Sequence, residues 1–225
     1  MGFCLSAFRR FTYGVRALAG KVAALVFLGL PAFGEEPVTI LALGDSLTQG
    51  YGLAQDDGFV PQLESWLEEN DVAAEVINAG VSGDTTAGGA SRVEWSLTPE
   101  VDAMIVALGG NDMLRGLDPG EARANLRTIL EVAEGQDLPV LMVGMQAPTN
   151  FGPDYKAAFD AMYPELSQEF GALYFESFFK GLGEGDPSEL QGYFQSDGIH
   201  PNAEGVARIV EAMGPAVADL ADRVE

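Results

Sequence analysis

Five short apolar runs, separated by amphipathic stretches, constrain the fold of this chain more than any other feature. They lie at 38–43, 75–77, 103–108, 140–143 and 173–175 and include Ile40, Leu41, Val76, Ile105, Val106, Leu141 and Phe175. Each is too short for a helix, and most are apolar throughout instead of alternating with polar residues. Strands buried on both faces have this pattern, so the five runs predict a parallel sheet covered by helices. The segment after Leu117 supplies such a helix. Asp118 can cap it, Pro119 suits its first turn, Glu121 falls three residues after the cap, and Ala122, Leu126, Ile129, Leu130 and Ala133 form an apolar stripe. It should end near Glu134. Further helices are predicted over 59–69, 86–97, 154–170 and 202–223, with Pro215 kinking or interrupting the last. Strand and helix alternating in this order predict an α/β fold, a three-layer α/β/α sandwich built as one domain.

Residues 1–34 differ in kind from the rest. They contain Arg9, Arg10, Arg16 and Lys21 but no acidic residue, and an apolar stretch from Val22 to Leu30 leads to Ala32, Phe33 and Gly34. Basic residues, an apolar run and small residues in that order predict a signal peptide cleaved after Gly34, leaving 35–225 as the single folded domain. An uncleaved anchor is the alternative, but the run is shorter than the roughly 20 residues that span a bilayer. Arg9 and Arg10 raise twin-arginine export as a second route. The expected location is therefore periplasmic or secreted, with no stable membrane anchor after cleavage. Cys4, the sole cysteine, lies in this leader, so the remainder has no disulfide, thiolate zinc site or cysteine nucleophile.

Cleavage would remove four of the 12 basic residues and none of the 34 acidic ones, leaving a formal charge of −26. Nucleic acid is then an unsuitable partner, because phosphate binding needs clustered Lys and Arg. A self-repelling surface of this kind favours solubility, and salt would relieve the repulsion. The oligomeric state is not legible.

The chain has a single histidine, His200, three residues after Asp197. A general base titrating near neutrality therefore has one histidine to draw on, with an aspartate close enough to orient it. Gly44-Asp45-Ser46 follows the first predicted strand and offers a nucleophile. Ser46 needs His200 to take its proton, and His200 needs Asp197 to fix its tautomer, which makes Ser46, His200 and Asp197 a candidate triad. The negative charge that develops on the substrate oxygen calls for preset donors. The candidates are the backbone N–H groups of Ser46 and Gly83 and the side-chain amide of Asn111, since Gly83 follows the second predicted strand and Asn111 the third. The carboxyl ends of parallel strands meet at one edge of the sheet, where ligands bind.

Singly these tripeptides are weak signals, but together they resemble the SGNH, or GDSL, hydrolase family. Its four signature residues match Ser46 in Gly44-Asp45-Ser46-Leu47, Gly83 in Val81-Ser82-Gly83-Asp84, Asn111 in Gly109-Gly110-Asn111-Asp112, and His200 in Asp197-Gly198-Ile199-His200-Pro201. The chain looks closest to the periplasmic acyl-CoA thioesterase, lysophospholipase and arylesterase branch, including Leu114-Arg115-Gly116 and Ala147-Pro148-Thr149-Asn150-Phe151-Gly152. The resemblance implies a flavodoxin-like sheet of order 2-1-3-4-5, no metal or organic cofactor, and a serine esterase acting on carboxylic esters and thioesters through an acyl-enzyme. Aryl esters, acyl thioesters and lysophospholipids are the expected substrates. A carbohydrate O-acetylesterase and a catalytically silent flavodoxin-like binding protein are the alternatives.

Specificity is less legible. Met113, Leu114, Phe151 and Phe178, together with Leu117, Tyr155 and Phe179, are candidates for an acyl groove, and core or lid packing is the alternative for each. Arg115 is expected to meet either an anionic part of a substrate or one of the surface acids. Asp45, Asp84 and Asp112 are expected to bond to backbone amides in their own turns. No calcium-binding spacing is present. The glycine-rich stretch 176–196 forbids a long regular element and leads directly to the Asp197–His200 pair.

Overall fold

In the computed structural model, which describes residues 1–2, 36–183 and 190–224, all five predicted strands are present. They are β1 (Val38–Gly44), β2 (Ala74–Gly80), β3 (Ala103–Ala107), β4 (Val140–Val143) and β5 (Leu173–Phe175), paired in parallel in the order β2-β1-β3-β4-β5. That is the expected flavodoxin-like order. The three inner strands account for the apolar signature: every residue of β3 and β4 is buried, and β1 is buried from Ile40 onward. The edge strands depart from it. Ile77 on β2 is 40% exposed and Tyr174 on β5 is 39% exposed, since each outer strand has a neighbour on one side only.

Among the described residues seven α-helices accompany the sheet: α1 (Ser46–Gln49), α2 (Phe59–Glu69), α3 (Thr86–Ser96), α4 (Gly110–Leu114), α5 (Pro119–Glu134), α6 (Pro153–Phe170) and α7 (Ala203–Ala221). Helices α2 and α7 pack together, as do α3 with α5 and α5 with α6, while β4 and β5 touch both α6 and α7. The sheet is thereby enclosed between two helical layers. Residues Glu35–Glu225 form one compact unit. The expected leader lies outside the described residues except for its first two positions, and none of the described helices is long and apolar enough to cross a membrane.

Local chemistry explains most of the boundaries. Asp118 caps α5 by accepting from Gly120 N at 2.8 Å, and Asn202 caps α7 by accepting from Gly205 N at 2.9 Å. Pro215, expected to kink or interrupt α7, does not interrupt it, since the helix continues to Ala221. A proline inside a helix costs roughly 3 kcal/mol. Burial of Val206, Ile209, Val210, Met213, Val217 and Leu220, each worth roughly 1.5–3 kcal/mol, outweighs that cost.

Register brings three strand ends level, because Gly44 pairs with Gly80 on one side and with Ala107 on the other. The chain leaving each strand then emerges at the same edge. Gly80 is required there for close approach: a Cβ on it would collide with the backbone N of Gln49 in α1.

Candidate active site

Ser46 occupies the first position of α1, immediately beyond β1. Asp45 caps this one-turn helix, its Oδ1 accepting from Leu47 N at 3.0 Å, and Leu47 and Thr48 are buried beneath it. A helix start leaves its first amides without intrahelical partners, so the N–H of Ser46 is free to meet a substrate oxygen. The expected polar loop is thus a short helix that fixes the hydroxyl and the amide of the same residue.

His200 reaches Ser46 from the far end of the chain. Its Nε2 lies 2.8 Å from Ser46 Oγ, and its Nδ1 lies 2.7 Å from Asp197 Oδ2. Asp197 Oδ1 also accepts from the backbone N–H groups of Ile199 and His200, at 2.9 and 3.0 Å. The hydrogen bond from His200, followed by those two amides, holds the Asp197 carboxyl down at about 2. An aspartate so disposed stays ionised at any working pH and favours the imidazole tautomer with hydrogen on Nδ1, leaving Nε2 to accept from the serine.

The three expected donors border one cleft of about 530 Å3 with Ser46 and His200. Gly83 adopts a left-handed φ of +83°, a conformation that disfavours any side chain. Asn111 lies in α4 and donates through Nδ2 to Asp45 Oδ2 at 3.1 Å. Since a carboxylate offers no hydrogen, this bond orients the amide with its nitrogen toward Asp45, and the second N–H of that nitrogen remains available. Asp45 is 2% exposed, and burial raises its carboxyl to about 6 against the lowering effect of Leu47 N, Asn111 and His200.

Two other acids depart from expectation. Asp84 does not serve its own turn; its Oδ2 accepts from Arg92 Nε at 2.7 Å, while Arg92 Nη2 donates to Gly44 O at 2.8 Å. Arg92 is 8% exposed and so joins the end of β1 to the loop bearing Gly83 from beneath. Asp112 bonds across elements, accepting from Thr86 N at 2.8 Å and from Thr86 Oγ1 at 2.6 Å, and thereby ties α4 to the start of α3. Among the described residues Arg115 pairs with no acid, and its Nη2 donates to the Gly83 carbonyl at 2.7 Å. Arg92 was missed, although a cation beside Val93 on the buried face of α3 is a readable anomaly.

The apolar lining also differs in part. Met113 and Leu114 border the cleft as expected, together with Met145, Phe179, Phe194 and Ile199. Phe178 does not; it is 1% exposed, with its ring 5.3 Å from that of Phe59 in the core, and its neighbour Phe179 faces the cleft. Phe151 does not border the cleft either, because it stacks on Tyr155 with centroids 4.9 Å apart. Tyr51, another lining residue absent from the sequence reading, places its ring 4.7 Å from that of His200. Among the described residues no three acids, histidines or cysteines gather as metal ligands would.

The arrangement joins a hydroxyl, an imidazole and a carboxylate in series beside convergent N–H donors at an apolar cleft. Residues 42–208 match the profile of the GDSL-like Lipase/Acylhydrolase family. The chain is 35% identical over 198 residues to the Esterase TesA of Pseudomonas aeruginosa, covering 88% of this chain and 94% of that protein. It is 33% identical over 177 residues to the Thioesterase 1/protease 1/lysophospholipase L1 of Escherichia coli (strain K12), covering 78% and 81%. Among solved structures it resembles AlinE4, an SGNH-hydrolase family esterase, with a TM-score of 0.68, 42% identity, and coverage of 83% of this chain and 97% of that one.

Proposed function

The chain belongs to the GDSL-like lipase/acylhydrolase family, and we propose that within it Ser46 is the nucleophile, His200 the general base and acid, and Asp197 the residue that orients the imidazole. The protein is an ester and thioester hydrolase. The observation that carries the site assignment is the pair of contacts made by one histidine, 2.8 Å to Ser46 Oγ and 2.7 Å to Asp197 Oδ2.

The chemistry follows from those contacts. Ser46 Oγ attacks the substrate carbonyl as its proton passes to His200 Nε2, and Asp197 stabilises the imidazolium that forms. Negative charge grows on the carbonyl oxygen, which Ser46 N, Gly83 N and Asn111 Nδ2 receive. His200 then returns the proton to the departing alcohol or thiol, leaving Ser46 acylated. Water entering beside His200 reverses the sequence and releases the acid. The cleft volume lies within the usual 300–1,000 Å3 range of small-ligand sites. Its apolar side, with Met113, Leu114, Met145 and Phe179, suits acyl chains and favours aryl esters, acyl thioesters and lysophospholipids over acetylated sugars.

Ser46→Ala tests the assignment. Labelling by a fluorophosphonate should disappear, and turnover should fall by at least about 10^4-fold, while the thermal transition persists. Turnover within a few-fold of the parent would sink it. The same proposal makes residues 1–34 an export leader that delivers 35–225 to the periplasm or beyond. The basic, apolar and small-residue order supports this, and the intact mass of exported protein checks cleavage after Gly34.

A further inference from the structure

The leaving atom of a substrate must come within hydrogen-bonding reach of His200 Nε2, because that nitrogen supplies the proton it departs with. The group attached to that atom must then lie beside the imidazole. Tyr51 occupies this position. Its ring centroid is 4.7 Å from that of His200 at a 40° tilt, the residue is 52% exposed, and it borders the cleft.

Tyr51 is also held in place more firmly than its exposure suggests. Its N–H donates to Ser46 O at 3.1 Å, and its carbonyl accepts from Gln195 Nε2 at 2.8 Å. Gln195 in turn donates its own N–H to His200 O at 2.8 Å. The backbone of Tyr51 is therefore tied to the loops carrying both the nucleophile and the base. A ring carried on a backbone fixed in advance has less freedom to lose when a second ring stacks on it.

We infer that Tyr51 is a specificity-determining residue that forms the leaving-group wall of the cleft and selects esters of planar apolar alcohols, such as benzyl and naphthyl esters, over esters of small alkyl alcohols. The inference rests on the assignment of Ser46 and His200 made above. By microscopic reversibility the same wall receives an aromatic alcohol in place of water. The alcohol oxygen then gives its proton to His200 Nε2 and attacks the acyl carbon; the bond to Ser46 Oγ breaks, and that oxygen recovers the proton. The product is a new ester, so the protein is also an acyltransferase toward benzyl alcohol.

Benzyl butyrate and ethyl butyrate provide the test, since their alcohols are of similar acidity and the ratio of kcat/KM reads contact with the leaving group. In Tyr51→Ala the benzyl-to-ethyl ratio should fall about 3- to 10-fold, as expected for loss of one aromatic contact, and Tyr51→Phe should retain it. An unchanged ratio in Tyr51→Ala, including an equal fall with both esters, would overturn the inference, because the ring would then serve only to support His200. Wild-type protein gives a second measurement that does not depend on how the variant folds. With equal concentrations of benzyl alcohol and ethanol, the acyl-enzyme should yield more benzyl than ethyl ester, and equal capture overturns the inference. Failure of the underlying assignment would show separately, as turnover that survives Ser46→Ala.

Discussion

Asp45 borders the cleft beside Ser46, Asp197 stands behind His200, and the two have been pushed in opposite directions. Asp45 is 2% exposed beside the nucleophile, and burial raises its carboxyl to about 6 from an ordinary 3.8. Asp197 lies in an exposed loop, where the bond to His200 and two backbone amides hold it near 2. Their consequences for stability differ in sign. Asp45 favours the fold most when protonated, so its contribution is complete below about pH 3.8 and is lost as pH rises through about 6, a change of order 3 kcal/mol. Asp197 contributes above its ordinary value, and that contribution is lost as pH falls toward 2. The buried acid therefore carries a charge the fold disfavours in order to orient Asn111, whereas the exposed acid is stabilised in the form the imidazolium needs.

Replacing the exposed acid should have the largest effect on rate. In Asp197→Ala the imidazole loses its orienting partner, and kcat should fall about 10^3- to 10^4-fold. Steady-state kinetics with a chromogenic ester and a denaturation curve at pH 7 measure both sides of the comparison. The midpoint should fall modestly, because the contribution of the ionised Asp197 is lost while solvent already screens part of it. A large loss of stability with rate retained would show that the His200 loop depends on this acid for its fold and not for its chemistry.

The buried acid should show the converse. Asn at position 45 still accepts from Leu47 N, but it presents an amide hydrogen toward Asn111 Nδ2. The amide of Asn111 must then rotate and place its oxygen where the substrate oxygen accumulates charge. Asp45→Asn should lower kcat about 10^2- to 10^3-fold, the usual cost of one lost oxyanion donor. Stability should also become flatter between pH 4 and 6, since the group that titrates there is gone. Urea unfolding at those two pH values, together with kcat at pH 7, gives the answer. Full activity would mean that Asn111 keeps its orientation without Asp45.

The two sides also differ in how far they were legible in the sequence. The buried side was readable because β1, β3 and β4 consist of residues that only a covered sheet accommodates, and because Ser46, Gly83 and Asn111 are the residue types that acyl chemistry requires. The extension of β2 through Asn78-Ala79-Gly80 was not, since those residues have little intrinsic preference for a strand and pair there because β1 lies alongside. Phe178 and Phe179 were ambiguous for a related reason: a turn of one residue decides which ring enters the core. On the exposed side Asp197 and His200 could be read, being three residues apart and chemically rare. The ties around them could not. Gln195 and Tyr51 are separated by 144 residues, and nothing in a glutamine side chain announces which carbonyls it will meet.

Gln195 gives the smallest effect and the finest division between the two sides. Its Nε2 donates to Tyr51 O at 2.8 Å and to Pro201 O at 3.0 Å, so one amide joins the loop after Ser46 to the loop holding His200. Gln195→Ala removes both bonds; Tyr51 is exposed and water can replace its donor, whereas Pro201 is buried, which sets the cost at about 1–2 kcal/mol. The catalytic cost should be larger in proportion, because a hydroxyl and an imidazole held by separate elements must still meet at hydrogen-bond distance. A fall in kcat of about 3- to 10-fold is expected for such a loosening, well short of the loss on removing Asp197. The loss should be similar for benzyl and ethyl butyrate in the deacylation-limited regime, where both pass through one acyl-enzyme. If Gln195→Ala instead matched the parent in kcat and lost several kcal/mol of stability, the loops would be joined for folding alone, and the base would owe its position to Asp197.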